Sequence, residues 1–164
     1  HAWLAGQLQQ RRPNDAVLSE EAAADPDRIH ADRLWIIDPL DGTREFGEAG
    51  RSDWAVHVAL VVGGEPVAGA VALPGMDRTL HTGEPPSVPD TGGRPPVVVV
   101  SRTRPPAGAI AVKDALGGVL LPMGSAGAKA MAVVRGEADV YVHTGGHYEW
   151  DFAASVSVAV AAGL

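Results

Sequence analysis

Apolar and polar positions alternate along DWAVHVALVVGGEPVAGAVALPG, residues 53–75, in two β-rich runs that flank Gly63-Gly64. That pattern predicts an antiparallel hairpin, and Thr79 to His81 adds a further strand. Upstream, residues 1–12 read as a helix ended by RPND, Ala16 to Leu18 as a short extended run, and Leu34 to Ile37 as a compact buried strand. Residues 83–96, GEPPSVPDTGGRPP, are too rich in proline and glycine for a regular element. Beyond them the pattern predicts strand Val97 to Val100, helix 106–117, strand Val119 to Leu121, helix 125–135, strand Ala138 to Val142 and a helix from about Trp150. Strands alternate with helices there. The expected class is α/β, a layered α+β sandwich with a first lobe over 1–83, a linker over 84–96 and a second lobe over 97–164. HAWLAGQLQQRR reads as a helix tail and VSVAVAAGL runs out without a closing element, so the chain is expected to be truncated at both ends.

The strand at Leu34 runs into unusual chemistry. In WIIDPLDGTREF, residues 35–46, Pro39 biases Asp38 towards extended backbone and the chain must then turn. Asp41, Gly42 and Thr43 fall where a helical turn can begin, so the N–H groups of Gly42 and Thr43 are candidate phosphate donors beside two carboxylates. Asp38, Asp41 and the Leu40 carbonyl offer hard oxygen ligands of the kind Mg²⁺ takes. The plainer alternative is a solvated turn capped by Asp41. A haloacid-dehalogenase phosphatase is a rival, but its D-x-D-G-T places an attacking aspartate two residues before its partner. In D-P-L-D-G-T the spacing is three, which favours shared metal binding.

Two more acidic sites bear on the metal reading. Glu20 in LSEEA follows an apolar run and would be aimed from a strand end; alternatively, Ser19 caps a helix with acids in its first turn. Asp151 in YEWDFAA opens a helix and, taken alone, also fits a plain N-cap.

Composition narrows the partners. Thirteen Lys+Arg against 20 Asp+Glu give a net charge of −7, which disfavours a nucleic-acid polymer or an anionic membrane. The absence of cysteine removes thiolate zinc sites and cysteine nucleophiles and fits a cytoplasmic protein. No apolar run reaches the ~18 residues of a membrane span.

LSEEA, WIIDPLDGTREF, MGSAGAKAMAVVRGEADVYVHTGG and YEWDFAA together resemble the inositol monophosphatase family of Li⁺-sensitive, Mg²⁺-dependent phosphomonoesterases. DGTREF and EWD resemble most its bacterial 3′(2′),5′-bisphosphate nucleotidase branch, called CysQ. The resemblance implies that Glu20, Asp38 and the Leu40 carbonyl hold one Mg²⁺, and that Asp38, Asp41 and Asp151 hold a second, within a set of two or three ions. It implies catalytic roles for Glu20, Asp41 and Thr43, the last on the attacking water, and makes 1–83 the metal lobe and 97–164 the substrate lobe. The family's further aspartate upstream of E-E has no match before Glu20, Asp15 lying in the wrong context. The expected substrate is a small phosphate ester, foremost 3′-phosphoadenosine 5′-phosphate, with inositol 1-phosphate or fructose 1,6-bisphosphate as alternatives; a homodimer is the expected assembly. From another class, a non-catalytic metal- or nucleotide-binding module is the rival.

GSAGAKA lacks the ending of a P-loop. Ser125 caps the helix that begins there, and Gly124, Ser125 and Ala126 could anchor a second anionic or ribose group, with Lys129 one turn on. Gly42, Thr43 and His143 complete the substrate candidates. His143 and His147 are four apart but separated by Gly145-Gly146, which argues against a helical zinc pair. His57 reads as structural, and Arg102 and Arg104, after the Val97 to Val100 strand, as solvated loop charges, with phosphate ligands as the alternative.

Overall fold

The computed structural model describes residues 1–164. Helix α1 (Ala2–Arg11) leads into β1 (Ala16–Ser19), then β2 (Arg33–Asp41), helix α2 (Thr43–Gly47), β3 (Ala55–Val62), β4 (Glu65–Leu73) and β5 (Arg78–His81). These strands form one sheet in sequence order; β1 and β2 are parallel and the other pairs antiparallel. The β3–β4 turn is Gly63-Gly64, both at positive φ (57° and 88°), as a tight hairpin with the twist of its strands requires.

A second sheet, ordered β7-β6-β8, is wholly parallel. It comprises β6 (Val97–Ser101), β7 (Val119–Met123) and β8 (Val140–Tyr141), connected through α3 (Ala107–Leu116) and α4 (Ala126–Val134). Helix α5 (Glu149–Ala161) packs across β4, β3 and β2 and against α4. At Gly69 on β4 a Cβ would lie 2.7 Å from the Ala154 carbonyl oxygen, so helix and sheet meet there backbone to backbone. Leu18, Ile36 and Val71 from the first sheet, Val99 from the second, Met131 from α4 and Val158 from α5 share one buried cluster.

Two expected elements differ in extent. The strand expected over Leu34 to Ile37 continues to Asp41, because β3 offers it backbone partners past the apolar run. The strand expected over Ala138 to Val142 shrinks to Val140–Tyr141; just before it the Asp139 N–H still donates to the Val97 carbonyl at 2.8 Å, while the Asp139 side chain holds the linker. Its Oδ2 accepts from Arg94 Nη1 and from the Val97 N–H, each at 2.7 Å, and Oδ1 accepts from Thr91 at 2.6 Å. No helix is long and apolar enough to cross a membrane.

Candidate active site

The register of β2 against β3 explains the spacing of the two aspartates. Asp38 pairs with His57 and Asp41 with Ala55, three steps along one strand against two along the other. In strict alternation, carboxylates three apart would face opposite sides of the sheet. The extra residue of this bulge turns both to one side. Asp38 is 1% exposed, and its Oδ1 accepts the Leu40 N–H at 2.9 Å. Gly42, at φ 89°, then caps α2 in a conformation that a side chain would strain.

Asp41 is gripped from the other sheet. Its Oδ2 accepts from the Ser125 hydroxyl at 2.6 Å and the Gly127 N–H at 2.7 Å, and its Oδ1 from the Ala126 N–H at 3.2 Å. The carboxylate therefore seats on the N-terminus of α4, where orphan donors and the helix dipole favour negative charge. This corrects the expectation that Gly124, Ser125 and Ala126 present free donors to a substrate. The Gly124 N–H goes to Asp53 Oδ2 at 2.6 Å, and the Ser125 N–H to the Asp53 carbonyl at 3.2 Å. Ser125 does cap α4, accepting the Ala128 N–H at 2.9 Å.

Asp151 is the third residue of α5, not its N-cap: Oδ2 reaches back to the Tyr148 N–H at 2.8 Å in a capping box. Asp38, Asp41 and Asp151 each offer an oxygen, all within 4.8 Å of one another. Asp38 Oδ2 and Asp151 Oδ1 accept no protein hydrogen bond. Burial, the Asp41 charge and the nearby Glu20 push the Asp38 carboxyl up to about 8. Burial also pushes Asp41 upward, but the His57 ring and the α4 donors outweigh it and hold Asp41 at about 2. Crowded hard oxygens, one of them pushed towards its neutral form by burial and by neighbouring carboxylates, fit a divalent cation.

The remaining sequence candidates fall around this cluster. Glu20 is exposed and stands outside the close trio, while its N–H joins the Ile37 carbonyl at 3.3 Å at the end of β1. The Thr43 hydroxyl donates to the Leu40 carbonyl at 3.3 Å. A cavity of about 430 Å³ opens over the cluster; Asp41, Asp151, Gly124, Ala126, Lys129 and His143 are among its lining residues. Lys129 is only 5% exposed. It donates to the Ser125 carbonyl at 2.8 Å and to that of Gly124, lies 5.4 Å over the Tyr141 ring, and has its amine pushed down by burial. The His143 and His147 rings stack in parallel, 3.2 Å between centroids, and do not aim their nitrogens at one point.

Three residues gained importance that their local sequence did not announce. His57 is fully buried, with Nδ1 3.0 Å from the Trp150 carbonyl and Nε2 3.1 Å from Asp41 Oδ2, the latter an ion-pair contact off the line of a good hydrogen bond. Burial pushes its pKa down, but the Asp41 contact wins and raises it. Gly127 makes room, since a Cβ there would strike His57 Nε2. A titratable side chain on the inward face of an alternating strand was the available signal. Asp53 anchors the approach to α4, as above. Glu45, 6% exposed, pairs with Arg102 Nε at 2.6 Å, and Arg102 also reaches Glu48. Arg102 is thus no solvated loop charge; it ties α2 to the end of β6.

Comparison with known proteins identifies relatives of this chain. The model of the inositol monophosphatase family matches residues 1–87 and 95–164. A Mycobacterium leprae protein named 3′-phosphoadenosine 5′-phosphate phosphatase is 48% identical over 176 residues, covering 100% of this chain and 65% of its own length. The Escherichia coli 3′(2′),5′-bisphosphate nucleotidase CysQ is 33% identical, covering 99% of this chain and 70% of its own. Among solved structures, CysQ from Bacteroides thetaiotaomicron superposes with a TM-score of 0.82 at 28% identity, over 99% of this chain and 71% of that one. The chain thus spans about two thirds of the length of these relatives, and over that span it belongs to the inositol monophosphatase family.

Proposed function

We propose that the chain carries the metal centre of a phosphomonoesterase that hydrolyses 3′-phosphoadenosine 5′-phosphate. The observation that carries the reading is the convergence of Asp38, Asp41 and Asp151 within 4.8 Å beside the cavity. The name of the relative at 48% identity supports the choice of substrate.

In this reading Asp38, Asp41 and Asp151 hold Mg²⁺, with Glu20 and the Leu40 carbonyl completing a set of two or three ions that Li⁺ would perturb. When bound, Mg²⁺ supplies positive charge to the phosphate oxygens and lowers the pKa of water. The protein supplies geometry. Thr43 gives its hydroxyl hydrogen to Leu40, so its oxygen can accept a hydrogen bond from the attacking water and aim it in line with the ester bond. Glu20, exposed beside Asp38, accepts the proton released from that water. Asp41 is held in place by α4 and His57, and in this reading both aspartates of D-P-L-D serve the cation while water attacks phosphorus directly, so no aspartyl phosphate forms on Asp38. Gly42, Lys129 and His143 border the substrate. A cytoplasmic homodimer is part of the same proposal.

Release of inorganic phosphate from 3′-phosphoadenosine 5′-phosphate, inositol 1-phosphate and fructose 1,6-bisphosphate, with and without Mg²⁺, tests it. Mg²⁺-dependent release favouring the nucleotide is expected. Preference for either other ester, or release without Mg²⁺, contradicts it.

A further inference from the structure

At the far end of the first sheet from the acidic cluster, three arginines converge on a cleft of about 300 Å³, walled by Arg11, Arg12, Pro13, Asn14, Asp15 and Arg33. Arg11 closes α1 and Arg12 follows it, whereas Arg33 opens β2. Strands β1 and β2 run parallel away from this end, with Glu20 just past one and Asp38 well along the other. Five residues separate Arg33 from Asp38, a rise of about 16 Å along the strand. The cleft stands apart from the acidic cavity.

The turn that builds this cleft is held at several points. The Arg12 N–H donates to the Leu8 carbonyl at 2.7 Å and the Asp15 N–H to the Arg12 carbonyl at 3.1 Å, while Pro13 fixes the backbone between them. The Asp15 side chain, 10% exposed, accepts Arg33 Nε at 3.1 Å on each oxygen and the Trp35 indole N–H at 2.8 Å. Asp15 thus grips Arg33 by Nε alone. Neither terminal nitrogen of that guanidinium has a hydrogen-bond partner within the chain.

Charge does not balance there. Asp15 offsets one guanidinium of the three, and Arg11 and Arg12 are exposed with no carboxylate within 4.0 Å. A basic last turn is ordinary on a helix, because it faces the carbonyl end of the dipole. That does not account for Arg33, which comes from a strand and lines the same space. In a chain of net charge −7, a local positive excess built from two separate elements is a feature of the fold. Guanidinium forks match the geometry of tetrahedral oxyanions, and so small a cleft suits a compact dianion and not a nucleic-acid polymer, which needs a longer basic track.

We propose that this cleft binds a free tetrahedral oxyanion of the phosphate or sulfate class, held by Arg11, Arg12 and the terminal nitrogens of Arg33. The site is independent of the phosphatase reading, since it needs no metal and shares no residue with the acidic cavity. Trp35 is its local reporter, because the indole N–H is bonded to the carboxylate that holds Arg33. Metal-free chain is titrated with sodium sulfate and, separately, with sodium phosphate, against sodium chloride at matched ionic strength. The indole N–H signals of the four tryptophans are followed by heteronuclear NMR, with Trp35→Phe identifying the one from Trp35. A saturable shift of that signal is expected with the oxyanions and not with chloride. Arg11→Met and Arg12→Met should each weaken it by roughly 5-fold or more, and the double variant further. Arg33→Lys, which keeps an ion pair with Asp15 but lacks the free fork, should do the same. The first two side chains are exposed, so circular dichroism should report unchanged folding in those variants. No saturable shift with either oxyanion, or a shift that Arg11→Met and Arg12→Met leave unchanged, overturns the site. A shift that follows the arginines upholds it whether or not any ester is hydrolysed, and the tighter of the two anions identifies the preferred ligand.

Discussion

Replacing His57 with valine removes the one side chain that touches both Asp41 and the segment carrying Asp151. The ring is 0% exposed, with contacts of 3.0 Å to the Trp150 carbonyl and 3.1 Å to Asp41. Hydrogen bonds involving a charged group contribute about 1.5–3 kcal/mol each. Because the Asp41 contact is poorly aligned and valine still fills part of the space, a total of roughly 3 kcal/mol is reasonable. At about 2–4 °C per kcal/mol for a chain of this size, Tm should fall by roughly 6–12 °C. Metal binding should suffer too, since losing a residue that orients a ligand typically weakens affinity about 10–100-fold. Thermal unfolding and a Mg²⁺ titration followed by tryptophan fluorescence measure both, and His57→Gln, which can still donate a hydrogen bond, should recover part of each. If His57→Val leaves Tm within about 2 °C and Mg²⁺ affinity within a factor of two, the imidazole is a space-filler and the reasoning is wrong.

Asp38→Asn, which removes the buried central carboxylate, should abolish most Mg²⁺-dependent phosphate release, whereas Glu21→Gln should change it little; near-equal activities would refute the assignment of ligands. Because the Asp38 carboxyl is raised to about 8, the folded chain keeps a proton that the unfolded chain loses above its ordinary 3.8. Its contribution to stability therefore declines as pH rises between those values, and a bound cation must displace the proton. Calorimetry in buffers of different ionisation enthalpy should find proton release on Mg²⁺ binding near neutral pH and none well above 8; no release at any pH would contradict it. Gly127→Ala places a methyl against His57 Nε2 and 3.1 Å from the Ala55 Cβ, so denaturant melts should show a loss of about 1–3 kcal/mol.

The hairpin around Gly63-Gly64, the strand-to-helix turn at Asp38 to Thr43 and the helix at Ser125 were legible because each is written in adjacent residues. What escaped was contact between distant segments. Ser125 and Gly127 close on Asp41 across 84 and 86 positions, and His57 reaches Trp150 across 93. Nothing local tells a free helix N-terminus from one filled by another strand's carboxylate. The two carboxylates of D-P-L-D come to one side of the sheet through a bulge opposite His57, a cause that depends on a partner strand and is not written in the motif itself. Arg102 shows the same limit: just past the end of β6 and before the prolines at 105 and 106 it looks like a loop charge, and only folding brings Glu45 to it.

The central claim is that Asp38, Asp41 and Asp151 form a divalent-cation site. Titration of the chain with Mn²⁺, with free ion read by electron paramagnetic resonance, tests it without depending on any substrate. Saturable binding of at least one ion per chain is predicted, competed by Mg²⁺ and weakened about 10-fold or more in Asp151→Asn. An Asp151→Asn chain that binds Mn²⁺ as wild type does, or a wild type that binds none, would contradict it.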